Sequence, residues 1–104
     1  MNQRKCPVIE LAEVIGGKWK IQILWEIGKV GTIRYNELKR EVTDITNTML
    51  TRSLDGLIKH NLVIRKDFHT TPPKVEYSLT KEGQDLYPIL EQLVKWIKGI
   101  ELVN

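Results

Sequence analysis

The segment from Arg34 to Thr80, RYNELKREVTDITNTMLTRSLDGLIKHNLVIRKDFHTTPPKVEYSLT, decides the fold of this chain. Its pattern predicts a helix over residues 35–42, a turn, and a second helix over residues 46–60. Two strands follow, over residues 62–68 and 75–79, and a proline-rich tip separates them. A helix pair followed by a β-hairpin is the element order of a winged helix-turn-helix, which serves mainly to place one helix in the major groove of DNA.

The second helix of this pair has two different faces. Leu50, Leu54 and Leu57 fall in one narrow sector at 100° per residue, and Thr46 is a good N-cap. A separate sector is polar and contains Asn47, Thr48, Thr51, Arg52 and Asp55. Arginine pairs with guanine and asparagine with adenine, so we predict that Thr46, Asn47, Thr48, Thr51 and Arg52 contact DNA. The alternative is a solvated helix face without a partner.

The proline-rich tip is the predicted wing. Lys74 follows Pro72 and Pro73, which stiffen the tip and limit the entropy lost on docking. Thr70, Thr71 and Lys74 are therefore predicted to contact phosphates. Arg34 and Lys39 are also predicted to contact phosphates. The alternative for the tip is a polar turn that maintains solubility.

Charge supports a polyanionic partner. The chain carries a formal charge of +3. All of this excess lies between residues 34 and 74, and the rest of the chain is neutral. Neutralised phosphates release counterions, so a local basic excess favours binding to double-stranded DNA.

The flanking segments are predicted to be mainly helical. Helices are expected over residues 7–15 and 18–29, with a short strand at 32–34 that extends the wing sheet. Thr80 should cap a final helix, in which Pro88 is expected to cause a kink or a break. The fold class is thus mainly α (α+β): one winged helix-turn-helix domain over residues 1–104, with residues 81–104 as a C-terminal dimerisation helix.

The final helix carries a wide apolar stripe at helical spacing. We predict that this stripe, with the first helix, forms a homodimer interface, although it could instead belong to the core of one chain. Trp19 and Trp25 are predicted to be core residues. The predicted interface residues are Leu86, Ile89, Leu90, Leu93, Trp96, Ile97 and Ile100.

Several functional classes are disfavoured by composition. One cysteine and two histidines leave no basis for a disulfide framework or a metal cage of histidine and cysteine ligands. No apolar run approaches the roughly 18 residues of a membrane span, and the first residues lack a signal-peptide pattern. We find no acid–base pair, phosphate loop or nucleophile–histidine set. The sequence predicts a cytoplasmic protein that is not an enzyme and has no metal, cofactor or membrane partner.

An ordered set of motifs resembles the HxlR-type winged-helix transcription regulators, relatives of the MarR-like regulators. The motifs span roughly residues 6 to 98, and they are specific as a set although each is weak alone. They are Cys6-Pro7, IGGKWK at 15–20, RYNEL at 34–38, MLT at 49–51, Leu54, Leu57, Leu62-Val63, PPKVEYSLT at 72–80 and Gly83.

The resemblance implies a homodimeric bacterial DNA-binding regulator. Its operator should be a pseudo-palindrome with half-sites about 34 Å apart, and a repressor is expected because occupancy alone blocks polymerase. A regulator that responds to a small molecule without thiol sensing remains possible on the sequence, as does a winged helix that binds protein. The sequence leaves the effector unknown.

The resemblance implies that Cys6 is the residue that senses electrophiles or oxidants. Several family members sense electrophiles or oxidants through a cysteine at this position. A helix N-terminus and the adjacent Arg4 and Lys5 favour a thiolate. The alternative for Cys6 is a small residue packed against a neighbour.

Overall fold

A computed structural model describes residues 6–103 of the chain, with side chains described through residue 100. Five helices and three strands follow in an order that confirms the predicted winged helix-turn-helix. The elements are α1 (Pro7–Ile15), α2 (Lys20–Val30), β1 (Thr32–Arg34), α3 (Tyr35–Glu41), α4 (Asn47–Lys59), β2 (Val63–Asp67), β3 (Val75–Leu79) and α5 (Lys81–Val103).

The three strands form one antiparallel sheet in the order β1-β3-β2. Ile33 of β1 pairs with Tyr77 of β3, and Val63 of β2 pairs with Leu79. The expected short strand at 32–34 is therefore confirmed. Because β1 pairs with β3 and α3 begins directly after Arg34, strand β1 places the start of α3 next to the wing.

The core lies between the sheet and helices α2, α3 and α4. Leu50, Leu54 and Leu57 of α4 are at most 1% exposed, as their spacing predicts. Ile23 and Leu38 from α2 and α3 are fully buried beside them. One face of α4 is thus held by the core, and the opposite face remains in solvent.

Both predicted threonine caps are present. The Met49 N–H donates to the Thr46 hydroxyl at 3.1 Å, and the Gly83 N–H donates to the Thr80 hydroxyl at 3.0 Å. The start of α2 differs from the prediction by two residues. Gly17 has a φ of +89°, so the turn after α1 continues through Lys18 and delays the helix until Lys20.

The final helix is not broken at Pro88. Helix α5 runs without interruption from Lys81 to Val103 with Pro88 inside it. Pro88 lacks the N–H that would bond to the carbonyl of Gln84, and its ring crowds that carbonyl. Both residues lie at the surface, where water can hydrate the freed carbonyl.

Two of the seven predicted dimer-interface residues pack against the core of the single chain. Leu90 is only 3% exposed and belongs to the core of the single chain, and Leu86 is half-buried against that core. Both contribute to the side of α5 that packs on α2 and β3. The remaining five predicted residues are exposed: Ile89, Leu93, Trp96, Ile97 and Ile100.

Candidate nucleic-acid interface

The exposed side of α4 presents one continuous polar face. Its five side chains surround a shallow depression of about 480 Å³ and are all exposed. We call them the α4 polar face: Asn47, Thr48, Thr51, Arg52 and Asp55. The helical spacing predicted this grouping, because residues three and four apart lie on one side of a helix.

Tyr35 is a residue of this surface that sequence reasoning missed. Its hydroxyl lies 3.2 Å from Asn47 Oδ1, 3.3 Å from the Asn47 carbonyl oxygen and 3.4 Å from Thr51 Oγ1. Its half-buried ring packs against the core. Asn47 and Thr51 lie 12 and 16 positions after Tyr35 and on a different helix, so the spacing of residues within one helix could not predict these contacts.

The wing is stiffened by its own hydrogen bonds. The Phe68 N–H donates to the Lys74 carbonyl at 2.9 Å, and the His69 N–H donates to Asp67 Oδ1 at 2.8 Å. The Thr70 hydroxyl donates its proton to the Pro72 carbonyl at 2.8 Å. A phosphate of the DNA backbone accepts hydrogen bonds and cannot donate them at neutral pH. The Thr70 hydroxyl must therefore break its bond to Pro72 before it can donate to a phosphate, as predicted.

Lys74 is held at the base of the wing by two neighbours. Its ammonium lies 4.4 Å from the centroid of the Phe68 ring and 3.6 Å from Glu76 Oε2. Lys66 approaches the same ring at 4.8 Å. These contacts limit the rotamers of Lys74 while leaving its side chain about one-third exposed.

Lys74 faces two arginines across a cleft of about 400 Å³ between α3 and the wing. We call it the basic cleft. It includes Arg34, which was predicted to contact phosphates, and also Arg40, which was not. Glu37 accepts a 3.0 Å hydrogen bond from the Arg34 backbone N–H. The cleft is lined by Arg34, Tyr35, Asn36, Glu37, Arg40, Pro73, Lys74 and Val75.

Lys39 is placed less favourably than predicted. It is half-buried and lines neither the basic cleft nor the depression on α4. Its neighbour Arg40 is exposed and takes the position in the cleft. The side chains of Lys39 and Arg40 project about 100° apart around the helix.

Large apolar side chains are exposed on two other helices, α1 and α5. Val8, Ile9 and Leu11 of α1 are each at least half exposed, and they add to the five exposed residues of α5. An apolar groove of about 500 Å³ lies between α2 and α5 and is bordered by Trp25 and Trp96. Trp25 and Trp19 pack partly against the core, as predicted, while Trp96 is 63% exposed.

Cys6 lies at the N-cap of α1 and is exposed. Its carbonyl accepts hydrogen bonds from the N–H groups of Ile9 and Glu10, at 3.0 and 3.1 Å. The thiol thus sits beside the first turn of a helix that begins with Pro7. Arg4 and Lys5, which were expected to add positive charge, lie outside the described residues.

Within the described part of the chain, no group of three or more histidine, cysteine or acidic side chains could hold a metal ion. Nor does any helix there have the length and apolar character needed to cross a membrane.

A model of the HxlR-like helix-turn-helix family matches residues 14–101. This chain belongs to that family. The match includes both helices of the helix-turn-helix, the wing and most of α5, and it agrees with the motifs that carried the resemblance. The chain is accordingly a DNA-binding transcription regulator of the HxlR type.

Individual relatives agree with the family. The protein named MalR of Fusobacterium mortiferum, described as regulatory, is 46% identical over 91% of this chain and 90% of its own length. YdzF of Bacillus subtilis, an HTH-type transcriptional regulator, is 43% identical over 91% of this chain and 87% of its own. The solved structure of the redox regulator HypR in its reduced form superimposes with a TM-score of 0.87 at 41% identity, covering 94% of this chain and 96% of that chain.

Proposed function

We propose that this protein is a repressor that binds a pseudo-palindromic operator as a homodimer in the cytoplasm of a bacterium and performs no catalysis. The observation that carries the proposal is the adjacency of two surfaces. The α4 polar face supplies hydrogen-bonding groups for base edges, and the basic cleft beside it supplies cations for the phosphate backbone. Tyr35 contacts both.

Base recognition is assigned to the α4 polar face. Arg52 can donate two hydrogen bonds to guanine, and Asn47 can donate and accept one each at adenine. Thr48 and Thr51 offer hydroxyls to either partner and methyl groups to thymine. Thr46 holds the first turn of the helix in place, as its bond to the Met49 N–H indicates.

Phosphate contacts are assigned to three cations and to the tip of the wing. The cations are Arg34, Arg40 and Lys74, and Lys74 is held in place by its contacts with Phe68 and Glu76. The exposed Thr71 contributes a hydroxyl at the tip. Such contacts determine register and affinity without carrying sequence information directly.

Two of the predicted phosphate contacts are weaker candidates. The Thr70 hydroxyl donates its proton to the Pro72 carbonyl, and this hydrogen bond would have to break before Thr70 could donate to a phosphate. Lys39 lies half-buried outside the basic cleft. We therefore rank both below Arg40 and Thr71 as partners of the DNA backbone.

The apolar residues of α1 and α5 are proposed as the dimer interface. Eight large apolar side chains there lie in solvent in the single chain, and burying them against a second copy is favourable at about 25 cal/mol per Å². A two-fold dimer would present two α4 helices to successive major grooves about 34 Å apart. Repression requires only occupancy of the operator.

Redox regulation through Cys6 is a further part of this proposal. It is supported by the exposure of the thiol at a helix N-terminus and by the similarity to HypR, which is named a redox regulator. An oxidant such as a peroxide or diamide can take two electrons from the two Cys6 thiols of a dimer to leave an intersubunit disulfide, and an electrophile can instead add to a single Cys6 sulfur. Either product would favour a dimer geometry with a different spacing of the α4 helices.

A regulator that responds to a small molecule is the second candidate, and the apolar groove beside Trp25 and Trp96 is the observation that favours it. A winged helix that binds protein is a weaker candidate. It would require an apolar patch on α4, whereas the exposed face of that helix is polar.

Fluorescence anisotropy tests the proposal. The reduced protein is titrated into labelled DNA from upstream of its own gene and into a scrambled duplex, at several salt concentrations. We expect saturable binding to the upstream DNA that is at least about a thousandfold tighter and weakens steeply with salt. If neither this duplex nor any sequence selected from a random pool is preferred over scrambled DNA, operator recognition is wrong.

A further inference from the structure

The Tyr35 hydroxyl lies at the junction between α3 and the first turns of α4. It is within 3.4 Å of three oxygen atoms, and these belong to Asn47 and Thr51. Both residues are members of the α4 polar face. The same tyrosine also lines the basic cleft. One side chain of α3 thus contacts the residues assigned to bases and the pocket assigned to phosphates.

The chemistry of a phenol determines what this contact can do. The hydroxyl has one proton, which it donates to an oxygen of Asn47, and it can accept one hydrogen bond from the Thr51 hydroxyl. A carboxamide oxygen has two lone pairs, so Asn47 keeps one free when Tyr35 uses the other. Its amide NH₂ is also left available. These are the two groups that pair with adenine.

The Tyr35 hydroxyl also restricts side-chain rotation. Asn47 and Thr51 are exposed, and without a partner each would sample several rotamers. Ordering such side chains on binding reduces affinity. Tyr35 is itself held, because its ring packs against the core. A fixed donor therefore orders two exposed side chains before DNA arrives.

We propose that Tyr35 is a positioning residue for sequence recognition, which acts through Asn47 and Thr51 rather than by touching bases itself. The inference rests on the proposed function, since it assigns a role within DNA recognition. DNA binding has a sequence-specific contribution and a sequence-independent one, and a single substitution at Tyr35 can distinguish them. Loss of the hydroxyl weakens binding to the preferred sequence, and it leaves the sequence-independent attraction to phosphates unchanged.

The test compares Tyr35→Phe with the wild type on two duplexes: one selected by the wild type from a random pool, and a scrambled one. Phenylalanine keeps the ring in the core and removes only the hydroxyl. We expect about three- to tenfold weaker binding to the selected duplex, the size of one lost hydrogen bond. Affinity for scrambled DNA and the dependence of log K on log salt should remain as in the wild type.

Tyr87→Phe is the matched control. Tyr87 lies on α5, where its ring packs against Trp25 of α2, away from the α4 polar face. The same atom is removed there, and both affinities should stay unchanged. Thermal unfolding of each variant verifies that the fold is retained.

A double-mutant cycle tests whether Tyr35 acts through its two neighbours. In a chain that already carries Asn47→Ala and Thr51→Val, Tyr35→Phe should have no further effect on the selected duplex. An undiminished effect in that background would mean that the hydroxyl contacts DNA directly, and it would overturn the inference. Equal weakening on both duplexes, or no weakening on either, would overturn it as well.

The outcomes also separate this inference from the proposed function. A wild-type protein that selects no sequence would overturn operator recognition and, with it, the role of Tyr35. A wild type that discriminates strongly while Tyr35→Phe discriminates equally well would overturn only the role of Tyr35.

Discussion

Gly28 of α2 lies directly against the ring of Tyr87 of α5. A Cβ atom on Gly28 would lie 2.2 Å from Tyr87 Cδ1 and 2.4 Å from its Cε1. The ring cannot easily retreat, because it packs on Trp25 with a centroid distance of 5.3 Å. This contact joins the helix-turn-helix core to the helix proposed for dimerisation.

Gly28→Ala should therefore destabilise the protein by about 1–3 kcal/mol, since the added methyl forces α2 and α5 apart. Urea unfolding at one protein concentration measures the change. Gly99→Ala is the control, because a Cβ there meets no atom within 4 Å and alanine favours a helix by up to about 1 kcal/mol. An unchanged urea midpoint for Gly28→Ala would show that the packing at Tyr87 adapts.

Thr46→Ala removes the oxygen that accepts the Met49 N–H at the start of α4. We expect a loss of about 1 kcal/mol of stability, the usual effect of losing an N-cap, together with weaker DNA binding. Circular dichroism during thermal unfolding and anisotropy measure the two effects. Thr46→Ser keeps the hydroxyl and should retain both the stability and the DNA affinity of the wild type. If serine lowers them as much as alanine does, loss of the N-cap hydrogen bond does not cause the effect.

Replacing Leu93 and Ile97 together by glutamate should convert a dimer to monomers. Both side chains are more than 40% exposed in the single chain, so the substitutions add charge to the proposed interface and leave the core intact. Light scattering should then give the single-chain mass of 12.1 kDa. Gln92→Glu adds charge to α5 at an exposed polar residue and should leave the mass unchanged. A wild type that is already monomeric would refute the proposed interface.

Arg40→Ala and Lys74→Ala should each weaken DNA binding to a similar degree on all sequences. Each removes one cation of the basic cleft, so the slope of log K against log salt should become shallower by about one. Lys95→Ala removes an exposed cation from α5 and should not change the slope. A loss of affinity confined to the selected duplex would contradict the assignment of these two residues to phosphates.

Diamide should release the wild-type protein from DNA, because oxidation of the exposed Cys6 alters the dimer at α1. Cys6→Ser should stay bound under the same treatment, and anisotropy before and after diamide measures both. Restoration of wild-type binding by dithiothreitol would confirm a reversible thiol product. Identical responses of the two proteins would exclude sensing through Cys6.

Local patterns in the sequence predicted the helix-turn-helix and the wing. Leucines at helical spacing, Thr46 before α4 and alternation in β3 report interactions between residues close in the chain, and the structure confirms each of them. The same periodicity grouped the α4 polar face. These features are readable because the repeat of a helix or strand is set by backbone geometry.

Contacts between distant segments were decided only by the tertiary structure. The stripe on α5 had one apolar pattern, yet Leu90 is buried on its own chain, while Leu93, three residues further on, is exposed and borders the open groove between α2 and α5. Arg40 rather than Lys39 enters the basic cleft, and the Tyr35 hydroxyl reaches the first turns of α4 across the helix-turn-helix. Sequence spacing cannot specify such pairs, since they depend on how whole helices are packed against each other.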